Sequence, residues 1–231
     1  MRTLLTAISS INGNRRGAMK KLFGLFLFLL ALAFLAPDLA QAATKTWTGG
    51  TGTWDSTTGT HWSGGTAPVN GDAIVFDGTS GGGTVTADSS ISGMSFVSIT
   101  AGAFTGTLDF SVNNPSFTIT GAPGASWTGI GARTINMGSG TWTFTGVGIT
   151  LDISTATNCT SCVFSNAVLV VSANTAGQRT FNAGSQTFGS LTISSNSTKA
   201  PFLLGGATPT FASITVGSGN AVSLTQLIRL Q

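Results

Sequence analysis

One five-residue pattern recurs along the chain and constrains its fold more than any other feature. It reads FVSIT at Phe96–Thr100, FGSLT at Phe188–Thr192 and FASIT at Phe211–Thr215, and the last two copies start 23 residues apart. A turn-and-strand unit recurring every ~20–25 residues is typical of a β-solenoid, in which each coil buries its apolar face against its neighbours. A shorter pattern, WTG or FTG, also recurs and starts at Trp47, Phe104, Trp127 and Phe144.

Short segments of alternating apolar and polar residues indicate strands throughout the rest of the chain. β-branched and aromatic residues dominate these segments, and glycine, asparagine, proline or serine bounds each of them, which is typical of strands joined by tight turns. Examples are Ile74–Phe76, Thr84–Thr86, Phe117–Thr120, Trp142–Phe144 and Leu191–Ile193. We therefore predict an all-β chain that forms a parallel β-helix or β-solenoid. A β-sandwich or jelly roll is the alternative, because its short strands recur at similar spacing.

The first 42 residues have the pattern of a secretory leader. Lys20 and Lys21 precede an apolar run of 15 residues, Leu22–Ala36, and Ala40-Gln41-Ala42 supplies a small-x-small cleavage pattern. The run is shorter than the ~20 residues that a membrane span needs. We predict a signal-peptide helix here, a true start at Met19 and cleavage after Ala42.

The charges of the chain divide unevenly between this leader and the body that follows. Beyond residue 42, five Lys and Arg oppose six Asp, and there is no Glu. Scattered basic residues do not make the electrostatic footprint of a nucleic-acid-binding protein, so no nucleic-acid partner is expected. We divide the body into a Trp- and Gly-rich N-terminal cap segment at 43–92 and solenoid coils at 93–231. After cleavage we expect no membrane association.

The cap segment carries a family resemblance in its first part, TWTGGTGTWDSTTGTHWSGGTAPVNGDAIVFDG at Thr46–Gly78. It resembles the opening of secreted bacterial proteins with autotransporter-associated β-strand repeats, and equally that of β-rich phage and prophage surface proteins. The matching residues are Trp47, Trp54, Trp62, Gly64, Gly65, Pro68, Gly71, Asp72 and Phe76. The resemblance implies a parallel β-helix exposed outside the cell, on the cell surface or secreted, with a virion surface as the alternative. It implies no enzymatic activity.

Three tryptophans in the cap segment are the main candidates for a binding site. Trp47, Trp54 and Trp62 could offer flat apolar faces to sugar rings, with Asp72 accepting hydrogen bonds from hydroxyl groups. The competing interpretation is that the tryptophans cover the open end of the solenoid, because a terminal coil would otherwise expose its core. Asp72 and Asp77 flank the strand segment between them and also fit turn positions.

The remaining candidate chemistry is sparse. Cys159 and Cys162 form a C-x-x-C for which we predict a disulfide, because an exported chain is oxidised and a zinc site lacks further ligands. Free thiols are the alternative. Six dispersed aspartates do not predict a calcium cage, so we expect neither metal nor cofactor.

We therefore predict a non-enzymatic, exported structural or surface β-solenoid, such as an adhesin or appendage component. Its partners would be cell-surface glycans or copies of itself. A carbohydrate-binding module centred on the Trp residues is the first alternative. A polysaccharide-active β-helix enzyme, using residues such as Asp72 and Arg133, is the second.

Overall fold

The computed structural model describes residues 42–128, 131–146, 148, 150–153, 162–171, 179–182, 186–193, 202–205, 209–217, 222–224 and 229–230. All of these belong to one compact unit, Ala42–Gln231. The predicted signal-peptide helix and Cys159 lie outside the described residues.

The described chain winds through three sheets in turn. Sheet 1 has eight strands, one from each successive coil. They are β1 (Thr44–Thr46), β3 (Ala73–Phe76), β6 (Ser98–Ala101), β9 (Gly124–Ser126), β12 (Thr150–Asp152), β14 (Arg179–Asn182), β16 (Phe202–Gly205) and β18 (Val222–Leu224).

Sheets 2 and 3 form the other two sides of the coils. Sheet 2 has four strands and sheet 3 has seven. Sheet 2 consists of β2 (Gly52–Trp54), β4 (Thr84–Ala87), β7 (Thr107–Asp109) and β10 (Thr134–Asn136). Sheet 3 consists of β5 (Ser95–Phe96), β8 (Phe117–Ile119), β11 (Thr141–Phe144), β13 (Val168–Val171), β15 (Thr187–Ile193), β17 (Thr210–Val216) and β19 (Arg229–Leu230). Short 3-10 helices at Ser63–Gly65, Gly78–Ser80 and Ser89–Ile91 lie between strands.

All strand pairs among the described strands are parallel, and each strand pairs with its counterparts in the neighbouring coils. This confirms the predicted β-solenoid. It excludes the sandwich and jelly-roll alternative, whose sheets are antiparallel. The strands β1–β4 of the predicted cap segment pair within the same sheets as the later coils.

Alternation along each strand directs apolar side chains into a continuous core. In sheet 1 the buried column runs from coil to coil through Ile74, Ile99, Ala125, Leu151 and Phe181. Val75 and Thr100, which follow Ile74 and Ile99, are only partly buried. The core therefore depends on stacked rungs, each of which covers the apolar face of the next.

The recurring five-residue pattern is in register only for its last two copies. Phe188 pairs with Phe211 in sheet 3, as the 23-residue spacing predicts. In the first copy Phe96 pairs instead with Ile119 of sheet 3, and Ser98 already belongs to sheet 1. The same letters therefore lie within one strand of sheet 3 in the last two copies and span the corner between sheets 3 and 1 in the first.

Candidate functional site

The three candidate tryptophans lie together inside the first coils. Trp47 and Trp54 are 0% exposed and Trp62 is 2% exposed. Trp62 meets Trp47 edge-on at a centroid distance of 5.1 Å and Trp54 at 5.6 Å. Trp54 also contacts Phe96 at 5.4 Å. Their faces are occupied by other aromatic rings, so a sugar ring could reach them only if this end of the solenoid opened.

His61 covers the outer side of this aromatic group. Its ring stacks on Trp47 with centroids 4.8 Å apart and planes 9° apart. Its Nδ1 lies 2.8 Å from the carbonyl oxygen of Gly49, which it bonds as a donor when that nitrogen is protonated. Gly52 leaves space for the ring, because a Cβ there would lie 2.7 Å from His61 Nε2. His61 is thus a packing residue of this end.

The loop around Trp62 closes the open edge of β1. The main-chain N–H of Thr46 donates to Ser63 Oγ at 3.0 Å, and that of Thr48 donates to the carbonyl of His61 at 2.7 Å. Lys45 Nζ donates to Thr66 Oγ1 at 2.5 Å. A terminal strand otherwise presents unpaired N–H groups to other chains. This arrangement fits the interpretation of the Trp segment as a cap.

The indole N–H groups differ in how they are satisfied. Trp47 Nε1 donates to the carbonyl of Gly50 at 3.1 Å. The Nε1 groups of Trp54 and Trp62 are buried without a hydrogen-bond partner in the described part of the chain. A buried, unpartnered donor costs about 1–3 kcal/mol. Packing of large apolar area must offset that cost at both positions.

Asp72 directly precedes β3 and is 1% exposed. Its Oδ1 accepts from the main-chain N–H of Ala43 at 2.9 Å, and its Oδ2 accepts from that of Val69 at 2.9 Å. The carboxylate therefore links the turn at 69–72 to Ala43, the residue that precedes β1. It does not face solvent beside the tryptophans, as a hydroxyl-binding group would.

Four further aspartates of the first coils lie at turns; the sequence predicted turn positions for one of them, Asp77, and for Asp72. Each accepts a hydrogen bond from the main-chain N–H two residues later, at 2.7–2.8 Å. The pairs are Asp55 with Thr57, Asp77 with Thr79, Asp88 with Ser90, and Asp109 with Ser111. The spacing Asp-x-Ser/Thr is the sequence signal that could have found them.

These hydrogen bonds also lower the pKa values of two of the aspartates, Asp55 and Asp88. Burial acts to raise the pKa of Asp55, but hydrogen bonds from Thr58 and Thr57 outweigh it and hold the pKa below its ordinary value. The main-chain bond from Ser90 is the largest cause of the lowered pKa of Asp88. A carboxylate that is held ionised by its own turn is poorly suited to general acid–base catalysis near neutral pH.

Arg133, the basic residue considered for an enzymatic role, is 1% exposed. Its guanidinium donates to the carbonyl of Gly102 at 2.6 Å and to the carbonyl of Trp127. Burial lowers the pKa of this group. Arg133 thus links Gly102 and Trp127, which lie in adjacent coils. Its side chain is buried and does not face a surface on which a polysaccharide could lie.

Cys162 is disulfide-bonded. It borders a hollow of about 300 Å³ whose remaining lining residues are Val163, Phe164, Ser165, Gln186 and Thr187. None of these side chains supplies a charge or a base. In the described ranges, no three His, Cys, Asp or Glu residues are grouped as a metal would require. The same ranges contain no helix that is both long and apolar enough to cross a membrane.

Comparison of the chain with protein-family models, with curated proteins and with solved structures finds no match.

Proposed function

We propose that the chain is exported and that its body is a non-enzymatic β-solenoid of the cell or virion surface, which binds repetitive glycans through one of its flat faces. The observation that carries the proposal is a row of small side chains along sheet 3. The row consists of Ser95, Thr118, Thr143, Val170, Thr192 and Thr215, each paired with the next across adjacent strands.

The geometry of this row suits a repetitive ligand. Adjacent strands lie ~4.8 Å apart, so the five hydroxyl groups follow the repeat of the solenoid in runs of three and two, which Val170 separates. The alternating residues Phe117 and Ile119 are buried, which directs Thr118 and its counterparts outward. A backbone held on both sides by parallel ladders loses little conformational entropy on binding.

The support for export comes from the leader and its small-x-small pattern at Ala40–Ala42. The support for a role without catalysis comes from the commitment of Asp55, Asp72 and Arg133 to main-chain partners.

To test this, the full chain is expressed in a bacterium with a secretion system for such leaders. The processed protein is then incubated with intact bacterial cells and with insoluble chitin and cellulose. Thr143→Lys places a long cation in the middle of the sheet 3 row. Thr107→Lys is the matched control, because Thr107 faces outward from a central strand of sheet 2. We expect saturable binding that Thr143→Lys abolishes and Thr107→Lys retains, with both variants melting like wild type.

Two other outcomes would change the proposal. Binding that Thr143→Lys retains would move the site away from sheet 3, and no binding to any surface would contradict the adhesin role. Trp62→Ala tests the carbohydrate-binding alternative. Burial of this side chain predicts a large loss of melting temperature, whereas lost binding with unchanged melting would favour a Trp-centred module.

A further inference from the structure

The predicted cleavage site adjoins Ala43, a residue that hydrogen bonds join to the solenoid. Sequence pattern places cleavage between Ala42 and Ala43. In the structure Ala42 and Ala43 are exposed, and β1 begins at the next residue, Thr44. The carbonyl of Ala43 accepts from the N–H of Ala73 at 2.8 Å, so Ala43 is already joined to sheet 1.

The nitrogen that cleavage would release is the one that faces Asp72. Ala43 N lies 2.9 Å from Asp72 Oδ1. Asp72 is the single fully buried carboxylate among the described residues. Its other side-chain partner there is the neutral N–H of Val69. A buried carboxylate is favourable only when it is well hydrogen-bonded or paired with a positive charge.

We propose that Asp72 is a receptor for the new N-terminus: hydrolysis of the Ala42–Ala43 peptide bond yields an ammonium group on Ala43 that pairs with the Asp72 carboxylate and stabilises the first coil. Water adds across the bond, the Ala42 carbonyl becomes a carboxylate and the Ala43 nitrogen becomes an ammonium. The neutral amide bond to Asp72 is replaced by a charge-assisted one at the same atoms. This inference rests on the export part of the proposed function.

The pairing requires the α-amino group to be at residue 43 and nowhere else. One residue extends the chain by ~3.5 Å, which is enough to move an ammonium out of hydrogen-bonding range. A one-residue insertion therefore restores the neutral amide at Ala43 while it keeps every side chain of the body. Insertion of one Ser between Ala42 and Ala43 is the decisive variant.

The experiment exports the full chain, with and without the inserted Ser, in the wild-type and Asp72→Asn backgrounds. Intact mass and N-terminal sequencing define the processed ends, and thermal melts compare the four proteins. We expect processing at Ala43, a melting temperature lowered by about 3–6 °C by the insertion when Asp72 is present, and a change below about 1 °C when it is Asn.

A second measurement does not depend on the folding of Asp72→Asn. Pairing with a carboxylate raises the pKa of an α-amino group and so slows its reaction with an amine-reactive reagent near neutral pH. We expect the Ala43 amine to react about tenfold more slowly than the amine of the Ser-inserted protein.

The outcomes separate this inference from the proposed function. Processing at Ala43 with equal insertion effects in both backgrounds, or with equal labelling rates, overturns the pairing and leaves export intact. Retention of the leader, or processing far from Ala43, contradicts the export proposal and the pairing with it.

Discussion

Among the described residues, the solenoid has a three-sided region, whose coils contribute strands to three sheets, and a two-sided region, whose coils contribute strands to two. From β3 to β11 each coil contributes a strand to all three sheets, and equivalent residues such as Ile74 and Ile99 are 25 positions apart. From β14 onward the named strands belong to sheets 1 and 3, and Phe188 and Phe211 are 23 positions apart. Among the described residues, sheet 2 extends past β10 only as a parallel bridge from Asn136 to Val163.

The two regions also differ in the length of their strands. β15 and β17 are seven residues long, whereas strands in the three-sided region have two to four. The packing of aromatic rings differs as well: Phe188 and Phe211 stack with planes 22° apart, while Trp142 meets Phe117 edge-on at 62°.

The largest expected effect tests whether the two regions unfold separately. Phe188→Asp buries a charge in the two-sided core, and we expect it to destabilise that region by more than about 4 kcal/mol. Because coils contact only their neighbours, amides of β3–β11 should keep their protection from hydrogen exchange.

Leu108→Asp places a charge in the core of the three-sided region. Amides of that region should then lose their protection from hydrogen exchange, while amides of the two-sided region keep theirs. Thr107→Asp, one residue away and facing outward, is the control and should stay within ~0.5 kcal/mol of wild type. Simultaneous loss of protection over both regions in either core variant would show that the solenoid unfolds as one unit.

The next effect concerns the cap of the three-sided region. Trp47→Phe and Trp62→Phe remove similar volume, but Trp47 also loses the hydrogen bond to Gly50, whereas Trp62 loses a donor that has no described partner. We expect Trp47→Phe to cost about 2–4 kcal/mol in urea unfolding, and Trp62→Phe about 1 kcal/mol less. The reverse order would mean that the Trp62 indole N–H is satisfied by water.

Arg133 provides a smaller test of how corners of the three-sided region are joined. Arg133→Met keeps much of the apolar stem and removes the donors to the carbonyls of Gly102 and Trp127. We expect the free energy of unfolding to fall by about 1–3 kcal/mol. The substitution leaves the two carbonyl oxygens without their donor, and removal of the desolvated charge offsets only part of that cost. A variant more stable than wild type would show that these hydrogen bonds do not stabilise the fold.

The difference between the regions also explains what the sequence could and could not predict. Alternation and repeats predicted the solenoid, and the copies at Phe188 and Phe211 stack as expected. The copy at Phe96 did not, because the pattern records only two buried residues three positions apart, and this spacing occurs both across a corner, at Phe96 and Ile99, and within β15. It does not record which two sheets the corner joins.

The candidate site was limited by the same lack of three-dimensional information. Three nearby tryptophans fit a sugar platform or a plug equally well in sequence, since only the fold shows which faces are covered. The contact between Asp72 and Ala43 joins residues 29 positions apart, and their proximity depends on the pairing of β1 with β3. By contrast, the Asp-x-Ser/Thr corners are local and could have been read directly.

The smallest expected effect is the pH dependence of one such corner. The pKa of Asp55 is lower in the folded chain than its ordinary value of 3.8, so its ionised form favours folding. That contribution is fully present above the ordinary pKa and is lost as the pH falls through the lowered folded pKa. Solvent screens this partly exposed carboxylate, so the contribution should be at most about 0.5 kcal/mol.

Asp55→Asn isolates this contribution, because the carboxamide oxygen can still accept from Thr57 and Thr58 but carries no charge. Urea unfolding at pH 6 should find wild type slightly more stable than Asp55→Asn, and the difference should shrink as the pH approaches 2. A difference that is constant with pH would assign the stabilisation to hydrogen-bond geometry alone. In that case the corners of the three-sided region would depend on the shape of the Asp-x-Thr turn and not on its charge.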